Sequence, residues 1–251
     1  MPPTDPTPHI RDLLGPLLPV GEPELRMIAV TTLAGSLTVQ GTSQPLGNDL
    51  DHRLLTGMRD WSDVVLVGAR TVHAEDYSGV RTDPATARAR RARGQSAVAP
   101  IAVVSRELSP DPASKFFTAT SVAPLVLAPQ SSLEDSALAG RRAALEEAGA
   151  RLLSTGSGSA REIVGALRAA GHARITCEGG PGIYGMVAEA DLVDVLHLTV
   201  DPLLHLPVGQ RLLGDDPQVR GFSSRLALER HAATPDGTLF LRYRRIRGAG
   251  S

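Results

Sequence analysis

The sequence predicts an α/β fold: a mainly parallel sheet flanked by helices, with an antiparallel C-terminal hairpin. Three observations carry that reading. Short β-branched apolar runs, Val64-Val65-Leu66-Val67 among them, read as strands buried on both faces. Segments with helical spacing and cap signals lie between these runs, and strands alternating with helices make a parallel sheet. Past residue 225 the pattern changes. Runs 226–231 and 238–246 flank Thr234, Pro235, Asp236 and Gly237, a hairpin signal. A chain of 251 residues suits one such domain.

Residues 1–25 read as a Pro-rich leader, with a short amphipathic piece around 13–18 that packs on the domain or on a partner chain. Residues 26–247 read as a single domain and 248–251 as a tail. The first strand is the apolar run 27–33. Asn48 or Asp49 caps a helix to about Trp61, with Leu54, Leu55 and Met58 at helical spacing. The strand 64–68 ends in Gly68 and opens a second helix near Arg70. Residues 81–99 are an Arg-rich interruption, read as a solvated insertion. Strands return at 101–105 and 125–128. Ser131 with Glu134, and Ser159 with Glu162, have capping-box spacing, and the two helices they start stop at Gly149 and Gly171. A short strand, 151–154, lies between them. A strand at 174–177, a helix to about Ala190 and a strand at 193–200 complete the alternation before the hairpin.

Composition excludes several classes. Basic residues number 26 and acidic residues 27, so a dedicated nucleic-acid binder, which needs a basic excess, is not expected. Eight aromatic residues supply little stacking surface for single strands. No apolar run approaches the roughly 18 residues of a membrane span. The first residues have no basic segment and many prolines, unlike a signal peptide. The chain therefore reads as soluble and cytoplasmic. A single cysteine, Cys177, rules out an internal disulfide and argues against a cysteine zinc site. The seven histidines show no HxH or HxxxH spacing, so no metal is expected. All the basic residues but Lys115 are arginine. With the abundant Ala, Gly and Pro this reads as GC-rich coding, and it leaves almost no lysine for chemistry. Lys115 itself reads as a solvated loop residue.

Ligands of a parallel α/β sheet collect at the carboxyl ends of its strands. The Gly68-Ala69-Arg70-Thr71 turn either admits a phosphate to a helix N-terminus or is a tight turn and nothing more. In Cys177-Glu178-Gly179-Gly180-Pro181-Gly182 the glycines leave backbone N–H groups bare at a helix start, and Pro181 gives up no useful donor there. Glu178 immediately before such a cradle points to function, because a plain turn has no use for it. Glu75 and Asp76, at the end of a short helix, read from spacing alone as solvated. Residues 156–159 form a flexible loop.

Taken together, Leu33-Ala34-Gly35-Ser36-Leu37, Gly41-Thr42-Ser43, the run from Asp63 to Glu75, Cys177-Glu178-Gly179-Gly180-Pro181 and the run 192–200 resemble the riboflavin-biosynthesis pyrimidine reductase domain. That family has the dihydrofolate-reductase-like fold, and the resemblance covers about 27–246. It implies an NADPH-dependent, homodimeric reductase. Hydride passes to the ribosyl C1 imine of 5-amino-6-(5-phosphoribosylamino)uracil. Gly68, Ala69 and Thr71 match cofactor positions, with Arg70 beside them. Gly179, Gly180 and Gly182 match the pyrophosphate loop, and Ser105 would lie near the adenosine end. Glu178 and Asp76 match substrate-site carboxylates and carry the catalytic expectation. Ser43 and Thr32 are expected at the substrate. Three positions depart from the family pattern. Ala34 stands where an acidic residue is usual, Ile28 where Lys or Asn is common, and Arg70 where the turn has a second glycine. They keep two alternatives open: a reductase of another pterin-like or heterocyclic substrate, and a non-catalytic dinucleotide-binding paralogue. The zinc deaminase pattern, HxE with PCxxC, does not occur in the sequence.

Overall fold

The computed structural model describes residues 8–213 and 222–246. The first seven residues, and the expected tail 248–251, lie outside them. The chain opens with α1 (Ile10–Leu14) and β1 (Glu24–Thr32), followed by α2 (Asp49–Trp61), β2 (Val64–Gly68), α3 (Ala69–Ala74) and α4 (Pro84–Ala92). Next come β3 (Ile101–Val104), α5 (Lys115–Thr118), β4 (Leu125–Ala128), α6 (Gln130–Glu134), a 3-10 turn (Ser136–Leu138) and α7 (Ala139–Glu147). The rest is β5 (Arg151–Ser154), α8 (Ala160–Ala169), β6 (Arg174–Cys177), α9 (Pro181–Glu189), β7 (Val195–Asp201), β8 (Leu226–Ala233) and β9 (Leu239–Arg245).

The nine strands of the described residues join one sheet in the order β5-β4-β3-β2-β6-β1-β7-β9-β8. Pairing is parallel from β5 to β7, while β9 runs antiparallel to β7 and β8 antiparallel to β9. This is the fold class the sequence predicts. Side chains alternate across each strand, so each central strand feeds two cores. Met27, Leu66 and Ile175 join α8 and α9 on one face. On the other, Val65, Val103 and Val126 meet Phe116, Phe117 and Leu145, while Ile28 meets Leu13, Leu14, Leu54 and Met58. Burial on both faces is why these strands read as continuous apolar runs.

Cap chemistry sets several helix starts. Asn48 Oδ1 accepts from the N–H groups of Leu50 and Asp51, and Ser159 with Glu162 forms the expected capping box. The other expected box does not form. Pro129 takes the cap position of α6, the helix ends at Glu134, and Asp135 instead caps the 3-10 turn. The segment therefore folds as two short helices.

Three further expectations change. The Arg-rich insertion is not simply solvated: it forms α4, capped by Asp83, and Arg90 on it is fully buried. Arg90 Nη1 donates to the carbonyls of Asp60 and Ser62 at 2.6 and 2.9 Å, closing the open end of α2. Lys115 begins α5 and is not in a loop, but it is exposed as expected, and it forms an ion pair with the exposed Asp76. The amphipathic piece of the leader is α1, one turn earlier than expected. Arg26 and Arg242 donate to the carbonyls of Leu14 and Leu13 at its end, at 2.6 and 2.9 Å.

Candidate functional site

A cleft of about 1260 Å³ opens over the carboxyl ends of β1, β2, β3 and β6. It is large enough for a dinucleotide beside a second small molecule. Its floor is the junction of the two glycine turns. Gly68 N–H donates to the Gly179 carbonyl at 2.7 Å, so the turns after β2 and β6 are locked together. No side chain fits into this junction. A Cβ on Gly180 would lie 2.5 Å from Thr71 Oγ1, and one on Gly179 2.5 Å from Cζ of Tyr184. Gly179 also has φ +88°, a conformation L side chains rarely adopt, and the Gly179–Gly180 peptide is cis. The α9 N-terminus, with Pro181 in its first turn, begins at this junction. Its dipole favours an anion. Arg70 is exposed, with a guanidinium nitrogen 3.7 Å from where a Cβ of Gly182 would sit, so a cation overlooks the cradle. The geometry fits a dinucleotide pyrophosphate.

Glu178 stands beside this floor and is 8% exposed. Arg59 holds it with a two-pronged fork, Nε to Oε1 at 2.7 Å and Nη2 to Oε2 at 2.6 Å. Tyr77 Oη donates to Oε2 at 2.7 Å. A carboxylate has about four acceptor positions. Three are filled, and the remaining one is on Oε1. Glu178 is thus held in one orientation at the cleft wall. Burial works against the Arg59 guanidinium, but the charge and hydrogen bonds of Glu178 outweigh it and hold the Arg59 pKa above its ordinary value. Burial first, and then the Glu178 charge, push the Tyr77 phenol well above its ordinary value, so it remains a donor. Cys177 is buried, which pushes its thiol up to about 12 and leaves it inert.

The other expected residues divide. Gly68, Ala69, Arg70, Thr71, Gly180, Gly182 and Ser105 line the cleft, as do Asp76 and Ser43. Gly179 lies beneath the lining. Ser105 Oγ accepts from Ser109 N–H at 2.9 Å and so shapes the turn after β3. Ser43 N–H donates to Glu75 Oε1 at 2.7 Å, tying its loop to the end of α3. Asp76 sits at the exposed mouth with φ +48°. Thr32 is not brought to the cleft. It is 1% exposed, and its Oγ1 accepts from Ser36 N–H at 3.1 Å, which braces the turn after β1.

Three cleft residues were not expected from the sequence: Arg59, Tyr77 and Asp51. One signal was present. Asp51, Leu55 and Arg59 recur at every fourth position of α2, which puts two charged groups on one face of a helix whose neighbouring stripe is apolar. Burial raises the Asp51 carboxyl above its ordinary value, and Thr199 Oγ1, donating to Oδ1 at 2.5 Å, partly offsets that. Among the described residues no cluster of His, Cys, Asp and Glu could hold a metal ion, and no helix is long and apolar enough to cross a membrane.

Known structures share this architecture. A pyrimidine reductase-like protein from Corynebacterium diphtheriae is 31% identical, with a TM-score of 0.82 over 91% of this chain and 94% of that one. RibD from Acinetobacter baumannii, at 17% identity and a TM-score of 0.68, matches 90% of this chain, which spans 59% of that longer protein. A riboflavin biosynthesis reductase from Saccharomyces cerevisiae aligns at 12% identity with a TM-score of 0.60, over 92% of this chain and 93% of that one. At these two lower identities the likeness is one of fold. Comparison with curated proteins gives no match. The model of the RibD C-terminal domain matches residues 23–240, nearly the whole chain, and the chain belongs to that family.

Proposed function

We propose that the chain is an NADPH-dependent reductase of a phosphoribosylamino-pyrimidine, such as 5-amino-6-(5-phosphoribosylamino)uracil, converting the ribosyl group to a ribityl chain. The observation that carries this reading is the fixed Glu178 carboxylate beside a glycine cradle that no side chain could share. Gly68, Thr71, Gly180 and Gly182 would hold the pyrophosphate, with Arg70 meeting its charge and the Ser105 turn facing the adenosine end. The bound dinucleotide supplies the hydride. Glu178 lies at the cleft wall, where a carboxylate stabilises the cationic iminium form of the opened sugar and makes C1 more electrophilic. Arg59 and Tyr77 keep that carboxylate from turning away. Asp76, at the cleft mouth, would exchange a proton with the ring-opening hydroxyl. The family reading also makes the protein a homodimer, and the exposed Leu204 and Leu206 after β7 offer apolar surface for a partner copy to cover.

Calorimetric titration with NADPH, followed by its oxidation in the presence of the pyrimidine substrate, tests the reading. Saturable binding and substrate-dependent oxidation are expected. Binding without oxidation of any pyrimidine would favour the non-catalytic paralogue, and no binding at millimolar NADPH would remove both.

A further inference from the structure

Resting on that reductase reading, we propose that the leader is part of the working site: Leu14 of α1, Gly57 of α2 and Arg26 of β1 are positioning residues that hold Arg59, and through it Glu178, at the cleft wall. None of the three lines the cleft. The described leader residues, 8–22, precede the stretch that matches the family, so they are added to the domain the family shares. They meet it at α2, which has two faces. Leu55 and Arg59 turn to the cleft. Leu50, Leu54 and Met58 are buried on the other face, in one cluster with Leu13, Leu14, Ile28 and Phe240. Gly57 belongs to that second face. A Cβ on it would lie 3.1 Å from Leu14 Cδ1, so glycine lets the leader approach the α2 backbone closely.

Buried guanidiniums anchor the leader in this seat. Arg26 Nη1 donates to the Leu14 carbonyl at 2.6 Å and Nη2 to the Pro16 carbonyl at 2.5 Å. Arg242 Nη1 takes the Asp12 and Leu13 carbonyls at 2.7 and 2.9 Å. Without the leader these buried N–H groups would lose their acceptors, which is costly. The Arg26 guanidinium also lies 4.3 Å from the centre of the Trp61 ring. Trp61 is the last residue of α2, two positions after Arg59. Arg26 therefore joins the leader, the sheet and the C-terminal end of α2 in one contact. The cleft leaves open space on the far side of α2, so sideways movement of the helix is resisted mainly from the leader side. A shift at Gly57 passes along the helix to Arg59, half a turn on, and its two-pronged fork would carry the Glu178 carboxylate with it. Small misplacements of this kind are expensive in turnover even when they start far from the reacting atoms.

Variants of the full chain test the assignment. Leu14→Ala opens the contact. Gly57→Ala crowds it, although alanine in place of glycine favours the helix. The double variant moves a methyl group from one helix to the other and refills part of the gap. Leu152→Ala, on β5 at the opposite edge of the sheet, removes packing of the same kind away from α2. Leu14→Ala and Gly57→Ala are each expected to lower kcat about tenfold while the NADPH Kd moves less than about threefold. The double variant should recover most of that loss, and Leu152→Ala should keep the wild-type kcat. Trp61 is the one tryptophan of the sequence, so acrylamide quenching of its emission reads the end of α2 without any substrate. Quenching should rise about twofold or more in both single variants and fall back in the double variant. Wild-type kcat in the single variants, an equal loss in Leu152→Ala, losses that multiply in the double variant, or kcat and NADPH binding lost together would overturn the assignment. Gly57→Ala keeps every buried side chain, so it decides the question if Leu14→Ala does not fold. A wild type that oxidises NADPH with no pyrimidine removes the reductase reading. Trp61 quenching then still decides whether the leader holds α2, and unchanged quenching in the single variants would show that it does not.

Discussion

Glu178 is held by three hydrogen bonds and touches the cleft through its one free acceptor position. Glu178→Gln keeps the shape but turns an amide N–H₂ toward the Arg59 fork or Tyr77. Its turnover is expected to fall about 100-fold while the NADPH Kd moves by less than about threefold, read from steady-state kinetics and calorimetry. Equal losses in both would make Glu178 part of the cofactor cradle. Tyr77→Phe removes one bond to the same carboxylate and costs about 1 kcal/mol, a several-fold loss of kcat. Gly180→Val acts differently. Its Cβ would meet Thr71 Oγ1 at 2.5 Å and its branches would fill the anion cradle, so NADPH binding should vanish in the same titration. The local part of this site is legible in the sequence, because an acidic residue before a double glycine is a contiguous signal. The partners are not. Arg59 is 119 positions from Glu178, and Lys115 is 39 from Asp76. The spacing of Asp51, Leu55 and Arg59 on α2 marks a helix face but not the strand end that face meets, and nothing local to Lys115 points to Asp76. Thr32 errs in the opposite direction: a polar residue at a strand end looks like a ligand contact until the following turn supplies Ser36.

At the scale of elements, α4 shows why the Arg-rich segment exists. The last carbonyls of α2 have no partner within the helix, and Arg90 reaches them from α4, also taking the Ser96 carbonyl at 2.9 Å. Arg90→Ala should leave these buried carbonyls unpaired and cost about 3 kcal/mol in urea unfolding. Arg90→Lys should recover little of that, because an ammonium cannot span the acceptors that the planar guanidinium spans. A change under about 0.5 kcal/mol in Arg90→Ala would mean the insertion is dispensable. The strands are legible because burial on both faces leaves a contiguous apolar run. Helix starts are legible where a side chain caps them, as at Asn48 and Ser159. The Ser131–Glu134 spacing misleads because Pro129, just past β4, already sets the entry to α6. A capping box in sequence is only a possible pair of bonds until the chain direction on entry is known.

For the molecule as a whole, the arginine-rich composition has a structural meaning beyond codon usage. Arg26 is fully buried, paired with Glu24 at 2.7 Å and 4.3 Å above the Trp61 ring, while Arg242 and Arg244 share Glu229. These guanidiniums bind the leader helix to the sheet across more than 200 residues of sequence, since Arg242 reaches the Asp12 carbonyl at 2.7 Å. They also surround His197 on β7, which is 2% exposed and whose Nε2 has no partner among the described residues. Burial first, then the charges of Arg26, Arg242 and Arg244, lower the His197 pKa from 6.5 to about 3. The folded state therefore holds it neutral, while the unfolded chain takes up the proton as pH falls through 6.5. Its contribution is complete above 6.5 and is lost as pH falls toward about 3, at about 1.4 kcal/mol per pH unit for one proton. Urea midpoints of the wild type and His197→Gln between pH 7.5 and pH 4 isolate this effect, because the carboxylates common to both proteins cancel on subtraction. The stability difference should be constant above about pH 6.5 and then move against the wild type with that slope. A difference that stays flat down to pH 4 would show that the arginine layer opens to admit the imidazolium, and that the leader helix is held less tightly than its hydrogen bonds imply.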